Sequence, residues 1–194
     1  MQYLRTKFRG EHRLELVEGD ILKIDLPRWG PAVVVGNLPY YITSPIVGKV
    51  LALGPALLRA VFLVQKEVAE RLTAAPGSRD YGYLTVATQF FAEVEYLFTV
   101  PPAAFHPAPK VDSAVVRLTP RQELPATDAA AFLRFVSLAF QHKRKTLRNN
   151  LIEAFGREAL AALPEAGLRA EQMSLNALLE MYRHLQGPDT YTLK

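Results

Sequence analysis

The feature that most constrains the fold is a pair of short, uninterrupted apolar runs, Ala32-Val-Val-Val35 and Ala60-Val-Phe-Leu-Val64, separated by a segment with helical spacing. Continuous rather than alternating apolar runs mark strands buried on both faces, as in a parallel sheet covered by helices on either side. Residues 14–17 (Leu-Glu-Leu-Val) and 114–118 (Ala-Val-Val-Arg-Leu) look like further strands. Between the two apolar runs, residues 44–53 predict a helix whose start is marked by Ser44 before Pro45. A second helix is predicted over residues 65–72, with Glu67 and Arg71 one turn apart and placed for an ion pair. Alternating elements of this kind argue for a doubly wound α/β domain.

Beyond residues 120–125, strand character disappears. Residues 128–140, 145–155, 157–163 and 174–186 have helical spacing, punctuated by Pro164 and Gly167. Two domains are therefore expected: an α/β domain over residues 1–120 and a small all-helical domain over residues 121–194, ending in a polar tail at Lys194. Charge separates the two further. The chain's formal net charge is only +4, yet no acidic residue lies between Asp128 and Glu153, a stretch that carries Arg134, Lys143, Arg144, Lys145 and Arg148. On a helix, Arg144 and Arg148 would share a face, flanked by Lys143 and Lys145. Such a cluster can neutralise several phosphates of a nucleic acid, with strongly salt-dependent binding. A solvated helix face or a cation-rich helix end is the competing reading.

Composition excludes several chemistries. There is no cysteine, hence no disulfide framework, Cys-ligated zinc, iron–sulfur cluster or thiol catalysis. The four histidines (His12, His106, His142 and His184) lack metal-ligand spacing, and no metal is expected. No apolar run approaches the roughly 20 residues needed to span a bilayer, and the charged N-terminus has no apolar core behind it. The expectation is a cytoplasmic protein that makes no use of a membrane.

The segment richest in chemistry is Val33-Val-Val-Gly-Asn-Leu-Pro-Tyr-Tyr-Ile-Thr-Ser-Pro45. A buried strand ends at Gly36 and presents Asn37, Leu38, Pro39 and Tyr40 at the carboxyl end of the sheet, where open α/β folds bind ligands. Asn37 offers an acceptor and a donor, Pro39 stiffens the turn and Tyr40 supplies an aromatic face, a set suited to a planar aminopurine. An ordinary strand-to-helix turn would use the same residue types.

Asn-Leu-Pro-Tyr after a strand resembles the target-base motif of S-adenosylmethionine-dependent methyltransferases that act on adenine amino groups. Three more segments narrow the resemblance: Val64-Gln-Lys-Glu-Val-Ala-Glu-Arg-Leu72, the loop Pro76-Gly-Ser-Arg-Asp-Tyr-Gly-Tyr-Leu84, and Val100-Pro-Pro-Ala-Ala-Phe-His-Pro-Ala-Pro-Lys-Val-Asp-Ser113. With Phe140-Gln-His-Lys-Arg-Lys-Thr-Leu-Arg-Asn-Asn-Leu151, they resemble the small-subunit ribosomal RNA adenine N6,N6-dimethyltransferase family, in order and over nearly the whole chain. The resemblance implies a Rossmann-like class I methyltransferase sheet followed by a helical RNA-binding domain. It also implies S-adenosylmethionine as methyl donor and a role in ribosome biogenesis, with immature small-subunit ribosomal RNA as the partner of a monomeric enzyme.

Position by position, the resemblance assigns Asn37 and the Leu38 carbonyl to the adenine N6 amino group and Tyr40 to stacking on the base. Phe105 would close the sandwich from the other side, in a loop with Pro107, Pro109 and Lys110. Ala108 stands where the family often has proline. Glu18-Gly-Asp20-Ile21 matches the cofactor position, with Asp20 meeting the donor's adenine amino group, although an Asp after a strand is also a common helix cap. Lys110, Lys143, Arg144, Lys145 and Arg148 would contact RNA. The family's glycine-rich turn has no counterpart, since no two of the 11 glycines are separated by a single residue. The first strand–helix–strand is therefore expected to be missing, and the chain alone to bind the donor weakly or not at all. Two other readings are a catalytically inactive RNA-binding assembly factor and a DNA adenine methyltransferase.

Overall fold

The computed structural model describes residues 1–125 and 127–186; the polar tail expected at residues 187–194 lies outside the described residues. Four strands form one sheet: β1 (Ala32–Asn37), β2 (Leu57–Gln65), β3 (Ala92–Val100) and β4 (Ser113–Pro120), in the order β1-β2-β4-β3. Only β1 and β2 are parallel, joined by α2 (Thr43–Leu51). β4 lies antiparallel to both β2 and β3. The α/β class is as expected, but the sheet is mixed rather than wholly parallel. The connection from β3 to β4 covers only residues 101–112, which suits an antiparallel neighbour better than a parallel crossover.

The strand expected at residues 14–17 is not formed. Leu14 and Val17 are exposed, and among the described residues no strand lies beside them to take up their backbone groups. Among the described residues β1 likewise has a neighbour on one side only, and Val35 on it is 74% exposed. Every buried apolar side chain among the described residues lies at Leu38 or later. Before that point the chain contributes one short helix, α1 (Gln2–Lys7), and a series of turns.

β3 and the helix before it, α4 (Tyr83–Phe91), are absent from the sequence reading. The signal for β3 was the alternation Glu93-Val94-Glu95-Tyr96, which puts two carboxylates on one face. Glu95 stands directly opposite Arg117 on β4 and pairs with it, and the guanidinium holds the Glu95 carboxyl below the usual range. α3 (Lys66–Thr73) carries the expected Glu67–Arg71 ion pair.

The remaining helices are α5 (Ala129–Ala139), α6 (Leu147–Phe155), α7 (Arg157–Ala161) and α8 (Leu175–Gln186). Asp128 caps α5 by accepting the Ala131 amide at 3.1 Å. Two apolar clusters result, one beneath the sheet around Phe62, Val64 and Leu118, the other among the helices around Phe132, Phe135 and Leu151. α4 joins them: Val86 and Phe90 belong to the helical cluster, Leu84 packs on the sheet cluster and Phe91 on both. Phe90 is fully buried, with its ring centroid 5.1 Å from that of Phe132. Among the described residues no helix is long and apolar enough to cross a membrane.

Candidate active site and basic loop

The sheet's register brings the candidate residues to one end of the molecule. Asn37, the last residue of β1, pairs with Leu63 of β2; Gln65 at the end of β2 stands opposite Ser113 of β4, and Ser113 stands opposite Val100 of β3. The turn after Asn37 and the loop over residues 101–112, which carries Phe105, therefore leave the sheet at the same end. That end is the carboxyl end of the parallel pair, as the sequence predicts.

The Asn37–Tyr40 turn is tied at three points. The Leu38 amide donates to the Leu63 carbonyl at 3.0 Å, extending the parallel ladder one residue past β1. The Thr43 hydroxyl donates to the Pro39 carbonyl at 3.2 Å, and the Tyr40 hydroxyl lies 2.7 Å from the Ser113 hydroxyl. Glycine at position 36 leaves room for this turn: a Cβ there would stand 2.8 Å from a Leu38 methyl carbon and 3.4 Å from the Phe62 ring.

Asp20, Ile21, Asn37, Leu38 and Pro39 line one cavity of about 550 Å³, together with Leu26, Val34, Tyr41 and Ile46. Asp20 Oδ1 accepts the Leu22 amide at 3.0 Å, so the carboxylate closes its own turn as a local cap while facing the cavity. That turn is fastened to α2 by the Lys49 ammonium, which donates to the Leu22 carbonyl at 2.9 Å. The acceptor set and apolar walls fit the adenine end of an adenosine-bearing cofactor. Tyr40 and Phe105 do not line this cavity. Tyr40 is turned toward β4 by its bond to Ser113, and Phe105 is half-buried in its own loop. Lys110 lines a separate groove of about 510 Å³ with Glu67, Glu70 and Asp112. Ser113, Lys49 and Tyr41 were not singled out in the sequence; the Tyr-Tyr doublet gives no sign of which ring is anchored.

The basic cluster is not helical as expected. Residues 141–145 form the connection between α5 and α6, and only Arg148 stands on a helix, in the first turn of α6. Asn150, buried on α6, accounts for the break: its amide donates to the Ala139 and His142 carbonyls at 2.7 and 3.2 Å, drawing the chain into a turn. Thr146 then caps α6 through the Asn149 amide. Arg144 and Lys145 are exposed. The Lys143 ammonium instead donates to the Arg79 carbonyl at 2.6 Å, holding the loop between α3 and α4 against the helical part. The Gly77 amide donates to the Glu171 carbonyl at 2.6 Å, and Tyr81, 2% exposed, packs on Phe140, so the loop is anchored rather than free. A cleft of about 720 Å³ between loop and helices is lined by Arg71, Arg79, Tyr83 and Lys143. Among the described residues no group of acidic or histidine side chains is arranged to hold a metal.

A Rossmann-like sheet with the Asn37–Tyr40 turn at the carboxyl end of its parallel pair is the fold of a class I methyltransferase. The comparisons supply the family. Residues 1–186 match the ribosomal RNA adenine dimethylase model, and the chain belongs to that family. It is 44% identical over 184 residues to a ribosomal RNA small subunit methyltransferase A from Chlorobium chlorochromatii, covering 92% of this chain and 70% of that protein. Among solved structures it is similar to a dimethyladenosine transferase from Plasmodium falciparum, with a TM-score of 0.80 and 27% identity over 92% of this chain and 74% of that one. The 23S rRNA methyltransferase ErmE matches with a TM-score of 0.67 and 31% identity, covering 96% of this chain and 78% of that one. The chain spans about two thirds of the length of the curated relatives it matches.

Proposed function

We propose that this chain dimethylates the N6 amino group of adenines near the 3′ end of small-subunit ribosomal RNA, with S-adenosylmethionine as donor. The observation that carries the reading is the anchored Asn37–Tyr40 turn, placed between the Asp20 cavity and the Phe105 loop at one end of the sheet. Asn37 Oδ1 and the Leu38 carbonyl accept the hydrogens of the target amino group. They align the nitrogen lone pair on the donor and stabilise the positive charge that develops there. The donor supplies a methyl group on a sulfonium, with its adenine end on Asp20 and Ile21. The cavity opens along the free edge of β1, where Val35 is exposed, so this chain holds the donor weakly.

Tyr40 and Phe105 stack on the two faces of the extruded adenine. Stacking contributes about 1–3 kcal/mol per base, comparable with the few kcal/mol needed to flip a nucleotide out. Arg144, Lys145 and Arg148 contact phosphates on the helical side, and Lys110 does so beside the Phe105 loop. Lys143 adds its charge while tied to Arg79. Labelled methyl transfer at saturating donor, comparing immature small subunits with duplex DNA, tests the reading. Transfer to the ribosomal RNA is expected, and transfer to DNA alone refutes it.

A further inference from the structure

Tyr40 and its neighbour Tyr41 are treated differently by the fold. Tyr41 is 86% exposed, whereas Tyr40 is half-buried with its hydroxyl 2.7 Å from that of Ser113, 73 residues along the chain. Ser113 is fully buried and opens β4, the strand that has partners on both sides, Gln65 on β2 and Val100 on β3. Its backbone is therefore fixed from two directions. A buried hydroxyl needs a hydrogen-bond partner, and among the described residues Tyr40 is the one the Ser113 side chain has.

We propose that Ser113 is a positioning residue for the base site: its hydroxyl holds the far end of the Tyr40 ring, and so the direction in which the ring projects, where it receives the target adenine. This rests on the reading of Tyr40 as a stacking surface. The ring is held at two ends, at its Cα by the Pro39 turn that Thr43 closes and at its hydroxyl by Ser113, so the direction of the ring axis is set before a base arrives. The bond gives a reason for tyrosine at position 40, since phenylalanine would stack as well but have no tether at its far end. The loop that carries Phe105 ends at Ser113, so one residue registers both faces of the sandwich. Binding then does not have to order the ring, which is how preorganisation raises affinity.

The test titrates the 194-residue chain with a single-stranded RNA carrying 2-aminopurine at the target adenine and follows the quenching that stacking causes. Ser113→Ala and Tyr40→Phe are each expected to weaken the quenched complex by about 3- to 10-fold, the double variant no further, since either removes the same bond. Affinity for the same RNA with a pyrimidine at that position stays unchanged, which a general loss of structure would not allow. If Ser113→Ala melts well below the parent, Tyr40→Phe, which keeps the serine and the ring, carries the test. Additive losses in the double variant, or parent-like quenching in both single variants, overturn the positioning role. Tyr40→Ala separates the two claims: parent-like quenching there removes the base site itself, whereas its loss beside a silent Ser113→Ala removes only the role of Ser113.

Discussion

Replacing Lys143 by Met should free the loop over residues 76–82 without unfolding the protein. The Lys143 ammonium reaches the Arg79 carbonyl at 2.6 Å, a short, charge-assisted bond. Buried bonds of that type contribute roughly 1.5–3 kcal/mol, but both residues are exposed, and solvent screening brings the figure to about 1 kcal/mol. Methionine keeps most of the aliphatic stem, so the loss isolates the ammonium. About 1 kcal/mol raises the population of the open loop about fivefold, and cleavage that follows rapid opening and closing rises by the same factor. Trypsin cutting after Arg79, quantified by mass spectrometry at early times, should accelerate about fivefold in Lys143→Met. Arg144→Met, whose side chain meets no partner among the described residues, should leave it unchanged. Equal rates in the parent and Lys143→Met would refute the strut and return Lys143 to the free phosphate ligands.

Other perturbations probe different links. Tyr81 is buried and its hydroxyl has no partner, so burial pushes its pKa up to about 12. The folded state then keeps a proton that the unfolded chain releases near pH 10, and stability is full below pH 10 and falls as pH rises toward 12. Tyr81→Phe should flatten that part of the melting-temperature profile and at neutral pH cost nothing; an identical alkaline slope would contradict the burial argument. Phe90→Ala removes the fully buried ring by which α4 packs into the helical cluster and should cost about 3–5 kcal/mol, lowering the melting temperature by roughly 6–20 °C. A loss below about 1.5 kcal/mol in urea titration would show that α4 is not firmly packed into the helical cluster. Reversing Arg144, Lys145 and Arg148 to Glu should weaken RNA binding and lower the slope of log K against log salt by about three. An unchanged slope would make the basic loop a solvated surface.

Much of this organisation was legible in the residues, for reasons that can be named. The β-branched apolar runs at 32–35 and 60–64 both lie within parallel β1 and β2, but only β2 is buried as an uninterrupted run implies, since Val33 and Val35 on β1 are exposed. The Asn37–Tyr40 turn stood out as a candidate because its chemistry is local: Asn37, Leu38, Pro39 and Tyr40 are adjacent in sequence. Elements that depend on distant partners were not. Residues 14–17 have strand composition but no strand beside them among the described residues, and remain irregular. The run from 141 to 145 has helical composition, but the buried Asn150 amide draws it into a turn. Nothing near Tyr40 or Lys143 announces that their partners are Ser113 and Arg79, 73 and 64 residues away.

The central claim is that Asn37 holds the adenine amino group while the rest of the chain holds the RNA. Single-turnover methyl transfer to immature small subunits, with saturating donor and parallel measurement of RNA affinity, tests it most directly in the parent and in Asn37→Ala. The account predicts one or two methyl groups on adenine N6 in the parent, a loss of at least about 100-fold in Asn37→Ala, and RNA affinity unchanged within about twofold. Transfer by Asn37→Ala at a rate near the parent's, or loss of transfer only in proportion to lost RNA binding, would contradict it.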